Sequence, residues 1–194
     1  VELIKSSDEK FIVFTEYRAT QIYLQWLLQQ EKIPAVIYRG GFKKGKKDWM
    51  RQLFQNHAQV MIATEAAGEG INLQFCHRLI NYDLPWNPMR LEQRIGRIHR
   101  FGQENDVKIY NFALKNTVEE HVMNLLYNKI QLFENVIGHL EQILSDLNLP
   151  NMEREVEQIF EESKSVGESK IKLDNLTYVI QSYQRANEAK EHSL

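Results

Sequence analysis

Four arginines, Arg90, Arg94, Arg97 and Arg100, fall within eleven residues of one another in the stretch MRLEQRIGRIHRFGQ. Arginine stays charged at any physiological pH and presents a planar fork that matches phosphate oxygens. Leu91, Ile95 and Ile98 recur at helical intervals through it, so a helix packed on a core is expected. Arg97 and Arg100, three apart, would then share one face and converge on one anion. Gly96 keeps the backbone beside Arg97 open to a close ligand, and Gly102 is expected to end the helix in a left-handed cap. Two other stretches could also contact phosphate. Gly40 to Lys47 (GGFKKGKK) satisfies G-x-x-x-x-G-K between a strand and a helix, the context of a phosphate-cradling loop. Lys47, however, stands where a Ser or Thr should offer magnesium a hydroxyl, and four lysines in five residues overfill one phosphate pocket. Ile62 to Gln74 (IATEAAGEGINLQ) leaves a strand at Thr64 and turns through Gly68 and Gly70, which let backbone amides approach a ligand. Taken singly, each stretch has a plainer reading: a solvated charged face, a lysine turn, a tight strand-to-helix connection.

The elements that must position these residues follow from apolar periodicity. Phe11 to Thr15, Ala35 to Tyr38, Val60 to Ala63, a run around Arg78 to Tyr82, and Val107 to Ala113 read as strands. Helices are expected between them: Tyr17 to Gln30, with Ala19, Ile22, Tyr23, Trp26 and Leu27 at helical spacing, and Lys46 to His57, with Trp49, Met50, Leu53 and Phe54 inward. Strands apolar on both faces and alternating with helices indicate a parallel sheet covered on two sides. Ligands of such sheets sit at the carboxyl ends of the strands. Thr117, with Glu120 three residues on, should cap a further helix that runs to about Leu147. NLPN breaks it, an acidic helix from Met152 to Ser163 follows, then a polar linker, then a last helix from Leu173 to Ala189.

Composition narrows the function classes. The chain has 194 residues, 43% of them hydrophobic, one cysteine and six histidines without ligand spacing. A disulfide framework or a zinc cluster is excluded, which suits a reducing cytosol. No apolar run reaches membrane-spanning length and no signal peptide is visible. The net charge of −2 conceals an asymmetry: residues 1–125 hold 17 Lys and Arg against 14 Asp and Glu, residues 126–194 hold 7 against 12. A polyanion would meet the first part. The first residue is Val1 rather than Met, so an excised part of a longer protein is expected.

QRIGRIHRFGQ, with DLPWNP before it, resembles the last conserved motif of superfamily-two helicases, in the form carried by Swi/Snf-type DNA-translocating ATPases, RapA-like bacterial members among them. TEAAGEGINL resembles motif five of the same proteins and FIVFTEY motif four. YRGG followed by Arg51, Leu53 and Phe54 is similar to the segment that brings an Arg-Gly turn to the nucleic-acid backbone. The resemblance covers residues 10–130. It implies an α/β, RecA-like three-layer domain with a mainly parallel sheet over residues 1–130, and a helical extension over residues 131–194. It implies arginine fingers at Arg97 and Arg100; nucleotide contacts at Gly68, Gly70, Asn72 and Gln93; and nucleic-acid contacts at Thr15, Arg39, Lys43, Lys44 and Thr64. Asn72 stands where relatives often have an acidic residue reaching the ribose. Glu69 receives no role, and Trp86 is expected in a core or interface rather than on a base.

Phosphoryl transfer needs a phosphate cradle, a metal site and a water-orienting group, with arginines completing the charge stabilisation. The sequence contains only the completing part, with neither a true Walker A nor an acidic magnesium motif. The chain therefore reads as the second RecA-like lobe of an ATP-dependent DNA translocase or helicase, inactive without an N-terminal lobe that holds most of the ATP and Mg²⁺. Duplex DNA is the expected polymer ahead of RNA, and RNA polymerase or another protein is a candidate partner for the C-terminal helices. The bacterial cytoplasm is the expected location, or the nucleus if the source is eukaryotic. The competing readings are a non-catalytic nucleic-acid or protein-binding module and a self-contained nucleotide binder using Lys46.

Overall fold

Five strands form the sheet: β1 (Phe11–Phe14), β2 (Ala35–Tyr38), β3 (Val60–Ala63), β4 (Arg78–Asn81) and β5 (Lys108–Asn111). The computed structural model describes residues 1–64, 71–85, 88–115, 117, 120, 123 and 152–191. Strand order is β2-β3-β1-β4-β5 and every pairing is parallel. Register aligns Phe11 with Val60 and with Arg78, so all strands end at one edge. The central strands β1 and β3 are buried at every position, whereas the edge strands β2 and β5 are only partly covered. That is the burial gradient expected where helices cover both faces of a sheet.

Alternation along the strands sends side chains to two cores. Ile12, Phe14, Met61, Ala63 and Leu79 meet Phe54, Leu73, Cys76 and Ile98 on one face. Phe11, Val13, Val60, Ile62 and Ile80 meet Ile4, Leu28 and Ile33 on the other. The first face is covered by α3 (Lys44–Asn56) and the chain after β3, the second by α1 (Glu2–Lys5) and α2 (Arg18–Gln30). The expected three-layer α/β architecture is present, with a sheet that is wholly parallel among the described residues.

α2 is turned differently from the expectation set by its apolar spacing. Ile22, Tyr23 and Trp26 are more than half exposed, while Gln21 and Leu28 are buried. The reason is a polar one. Gln21 Nε2 donates to the carbonyls of Tyr38 (3.1 Å) and Ile62 (2.8 Å), so its NH₂ group is tied to the sheet and the helix turns that face inward. On α3, Phe54 is fully buried as expected, but Trp49 is 55% exposed.

The chain divides into two compact units, Val1–Leu84 with Arg90–Phe112, and Pro85–Met89 with Ala113–Leu194. In the second, α5 (Met152–Glu162) packs on α6 (Val166–Glu191). α6 begins inside the stretch expected to be a linker. Ser165 Oγ accepts from the Glu168 amide (3.2 Å) and Glu168 Oε2 from the Lys164 amide (2.9 Å), a reciprocal cap that starts the helix there. The bond from the Lys164 amide, together with Lys172, holds the Glu168 carboxyl below its usual range. Most of the helix expected from Thr117 to Leu147 lies outside the described residues, as do Gly68, Glu69, Gly70 and Trp86.

Candidate functional site

Parallel strands that end together bring the residues just past them into one row. The amides of Thr15, Thr64, Tyr82 and Phe112 donate to the carbonyls of Ala63, Tyr38, Phe14 and Asn81 on neighbouring strands. Each strand is thus locked to the next at its carboxyl end, where a ligand is expected. Thr15 and Thr64 are both buried here. The Thr15 hydroxyl donates to Asp83 Oδ2, and the Glu16 amide donates to Asp83 Oδ1 at 2.9 Å. Asp83, on the loop after β4, therefore caps the loop after β1, and in this arrangement the Thr15 proton is spent internally.

The arginine stretch divides into two pairs. α4 (Pro88–Ile95) carries Arg90 and Arg94 four residues apart, on one face. Arg94 is 2% exposed; its Nη1 donates to Asn81 Oδ1 (3.0 Å) and to the Asp83 carbonyl (2.8 Å). Its Nη2 lies 3.6 Å from Asp83 Oδ1 and 4.0 Å from Glu16 Oε1, and the guanidinium lies over the Phe14 ring. Asn81 Nδ2 continues the chain of bonds to Asn111 Oδ1 at 2.6 Å. Arg90 Nη1 reaches Glu16 Oε1 at 3.4 Å. These two arginines anchor α4 across the ends of β1, β4 and β5.

Arg97 and Arg100 lie beyond the helix. α4 ends at Ile95, and residues 96–98 form a turn instead of the longer helix expected up to Gly102. Ile98 stays fully buried because the amides of Ile98 and His99 both bond the Ile95 carbonyl, which tightens the last turn. Gly102 adopts φ +92°, the left-handed conformation expected of it, but in the turn closed by Gln103 N–H to the Arg100 carbonyl. Arg97 is half-buried, and its positive charge reaches the Tyr38 hydroxyl at the end of β2, as does that of Arg51. Burial and Asp48 outweigh both and hold that hydroxyl above its usual range. Arg100 is exposed, with Nε donating to the Gly96 carbonyl at 2.7 Å.

The lysine turn leaves β2 at the same edge. Gly41 takes φ +82°, and Lys43 caps α3 with extended backbone. Arg39 and Lys46 both lie over the Phe42 ring, at 5.2 and 4.2 Å, and Lys47 over Tyr38 at 6.0 Å. The Lys46 ammonium is therefore placed on an aromatic face instead of over a backbone cradle, which disfavours the self-contained nucleotide loop. Lys43 and Lys44 are exposed. Asn72 is exposed too, but its side chain is engaged: Oδ1 accepts from the Gln74 amide and Nδ2 donates to Gln74 Oε1, both at 3.0 Å. Gln93 is exposed on α4.

Sequence reading singled out Arg97 and Arg100 but gave no role to Asp83, Asn81, Gln74 or Gln103. Their only signal was polarity beside a strand end or a glycine turn. Among the described residues no group of His, Cys, Asp and Glu could hold a metal ion. No described helix is long and apolar enough to cross a membrane. At this edge the carboxylates of Asp83 and Glu16 face Arg94 and Arg90, and the cations Arg39, Lys43, Lys44, Arg97 and Arg100 fit the outer phosphate of a nucleotide or a polymer backbone.

The family described as the helicase conserved C-terminal domain matches residues 1–102. The chain is 65% identical over 177 residues to the uncharacterized ATP-dependent helicase YqhH of Bacillus subtilis (strain 168), covering 91% of this chain and 32% of that protein. It is 35% identical over 136 residues to the RNA polymerase-associated protein RapA of Pectobacterium carotovorum subsp. carotovorum (strain PC1), covering 68% of this chain and 14% of RapA. The chain thus spans about a third or less of the length of these relatives. The C-terminal part of the Fun30 ATPase domain superposes with a TM-score of 0.59 at 24% identity, over 78% of this chain and 50% of that one. That likeness is one of fold.

Proposed function

Because the chain belongs to the family of helicase conserved C-terminal domains, we propose that it is the second motor lobe of an ATP-dependent translocase of the Swi/Snf type. The observation that carries this is the division of the arginines. Arg90 and Arg94 are spent on Glu16, Asp83 and Asn81, and so hold the sheet edge. Arg97 and Arg100 follow on a separate turn whose main chain is pinned to Leu73. The pair that holds the sheet edge and the pair to which the phosphate role is assigned therefore lie on different pieces of backbone within one motif.

ATP, held with Mg²⁺ mainly by the preceding lobe, supplies the phosphoryl group that is transferred. What this chain contributes is positive charge at the outer phosphate from Arg97 and Arg100. Arginines in that role are worth on the order of 10³ or more in rate. Gly68, Gly70, Asn72 and Gln93 would border the nucleotide. Arg39, Lys43 and Lys44, with the buried Thr15 and Thr64 shaping the edge beside them, would grip the polymer backbone. Phosphate contacts of this kind position without reading sequence. Duplex DNA is the polymer proposed, with residues 1–130 as the motor lobe and residues 131–194 as an extension available to a protein such as RNA polymerase.

The test is a reconstitution. The isolated chain should hydrolyse ATP negligibly. The intact parent should hydrolyse it with stimulation by duplex DNA greater than by RNA. DNA-stimulated hydrolysis by the isolated chain would defeat the reading. A parent that keeps its activity without either arginine would leave the chain as a non-catalytic binding module, for which the exposed Lys43 and Lys44 are the supporting feature.

A further inference from the structure

Residues 71–76 and 97–103 are stitched together by hydrogen bonds that run in both directions. The Leu73 amide donates to the Arg97 carbonyl at 3.1 Å. Gln74 Nε2 donates to the Phe101 carbonyl at 2.7 Å. In return Gln103 Nε2 donates to the Gln74 carbonyl at 2.9 Å, and the carbonyls of Ile98 and Cys76 lie 3.0 and 3.4 Å from the same nitrogen. The acceptor ends of both amides are also used. Gln103 Oε1 accepts from the Asn105 amide (3.1 Å), and Gln74 Oε1 from Asn72 Nδ2 (3.0 Å).

These bonds grip the main chain on either side of Arg100. Phe101 is fully exposed, so no apolar packing holds that end of the turn, and its placement falls to the two amides. Gly102 permits the left-handed turn that brings Gln103 back beneath it.

We propose that Gln103, acting with Gln74, is a positioning residue that makes the arginine turn and the segment after β3 move as one body. The side chain must offer an NH₂ group at this reach. Glutamate would set oxygen lone pairs against three carbonyls, and asparagine is one methylene short. A shift of the segment following Gly68 and Gly70, the expected nucleotide border, is thereby carried to Arg97 and Arg100 through Leu73, Gln74 and Gln103. The proposal rests on the role given above to Arg97 and Arg100.

The experiment uses the intact parent protein and the variants Gln103→Ala, Gln103→Glu, Gln74→Ala, Arg100→Ala and Gln103→Ala/Arg100→Ala. It reads kcat, KM for ATP and the thermal midpoint. Gln103→Ala and Gln103→Glu should each lower kcat by about 10²-fold, the scale of a misplacement of about 1 Å, with KM held within about threefold. Gln74→Ala, which removes the bond to the Phe101 carbonyl and the one from Asn72 Nδ2 but leaves those of Gln103, should lower kcat about tenfold and serves if either Gln103 variant fails to fold. The double variant should be slower than Arg100→Ala by clearly less than the factor that Gln103→Ala costs alone, because Gln103 acts through the arginine turn and only the placement of Arg97 is left for it to disturb. Losses that multiply in the double variant, or kcat within about twofold of the unmodified enzyme in Gln103→Ala and Gln74→Ala, would overturn the proposal while leaving the arginine reading intact. Full activity in Arg100→Ala would instead overturn that reading and this proposal with it.

Discussion

Replacing Arg94 with alanine should destabilise the first unit severely without touching any group assigned to ATP. The guanidinium is 2% exposed, and it makes hydrogen bonds of 3.0 and 2.8 Å to Asn81 and to the Asp83 carbonyl. The side chain of Asp83, 3.6 Å away, is itself only 13% exposed. Removing one partner of a buried ion pair typically costs about 3–5 kcal/mol, because the remaining charge stays desolvated. Asp83 keeps the bonds from Thr15 and from the Glu16 amide, which places the cost at the lower end, about 3 kcal/mol. With a urea dependence of about 1–3 kcal/mol per molar, the unfolding midpoint should fall by about 1–3 M. Urea is the appropriate denaturant because guanidinium chloride would screen the pair under study. Asp83→Asn added to Arg94→Ala should cost less than the sum of the two, by about 1 kcal/mol or more. Arg94→Lys should not rescue, since one ammonium cannot fork between Asn81 and the loop carbonyl. A midpoint shift below about 0.3 M for Arg94→Ala, or strict additivity with Asp83→Asn, would refute the division of the arginines into anchors and fingers.

Other expectations follow from the same geometry. Gln21→Ala removes two buried bonds to sheet carbonyls and should cost about 1–3 kcal/mol, whereas Trp26→Ala on the same helix should stay within about 0.5 kcal/mol in the same urea titration. Burial pushes the Cys76 thiol from 9.0 up to about 11. A group whose folded value is raised contributes stability that is present below its unfolded value and lost above it. Stability should therefore decline from about pH 9 to about pH 11 and be flatter in Cys76→Ala, while the native thiol resists a disulfide reagent at about pH 8 and reacts once unfolded. In the intact parent, Lys43→Ala and Lys44→Ala should weaken duplex binding uniformly across sequences, and each should reduce the salt slope of log K by about 1.

The sequence revealed most about strands and least about polar contacts. β1, β2, β3 and β4 fall within a residue of where β-branched and aromatic runs placed them, because a strand buried on both faces must be apolar throughout. The inward face of α2 was not legible. Gln21 scores as a surface residue until the carbonyls of Tyr38 and Ile62, 17 and 41 residues away, accept from it. Ile98 keeps helical spacing and so predicts a longer arginine helix, although a tighter turn is what buries it. Ser165 and Glu168 stand at cap spacing, but Ser, Lys and Gly around them imitate a linker. In the site, the arginine and lysine stretches were legible from residue type. The Asp83 cap, formed across 68 residues, and the Gln74–Gln103 latch, across 29, were not, since no local pattern announces a partner that distant.

On the proposed function, Arg97 and Arg100 complete an ATP pocket contributed largely by another lobe. Single-turnover hydrolysis by the intact parent, with Arg97→Ala and Arg100→Ala measured at saturating duplex DNA, tests it most directly. The predicted result is a rate lowered by about 10³ or more in each variant, with nucleotide binding and the unfolding midpoint retained. Rates within about threefold of the unmodified protein in both variants would contradict it.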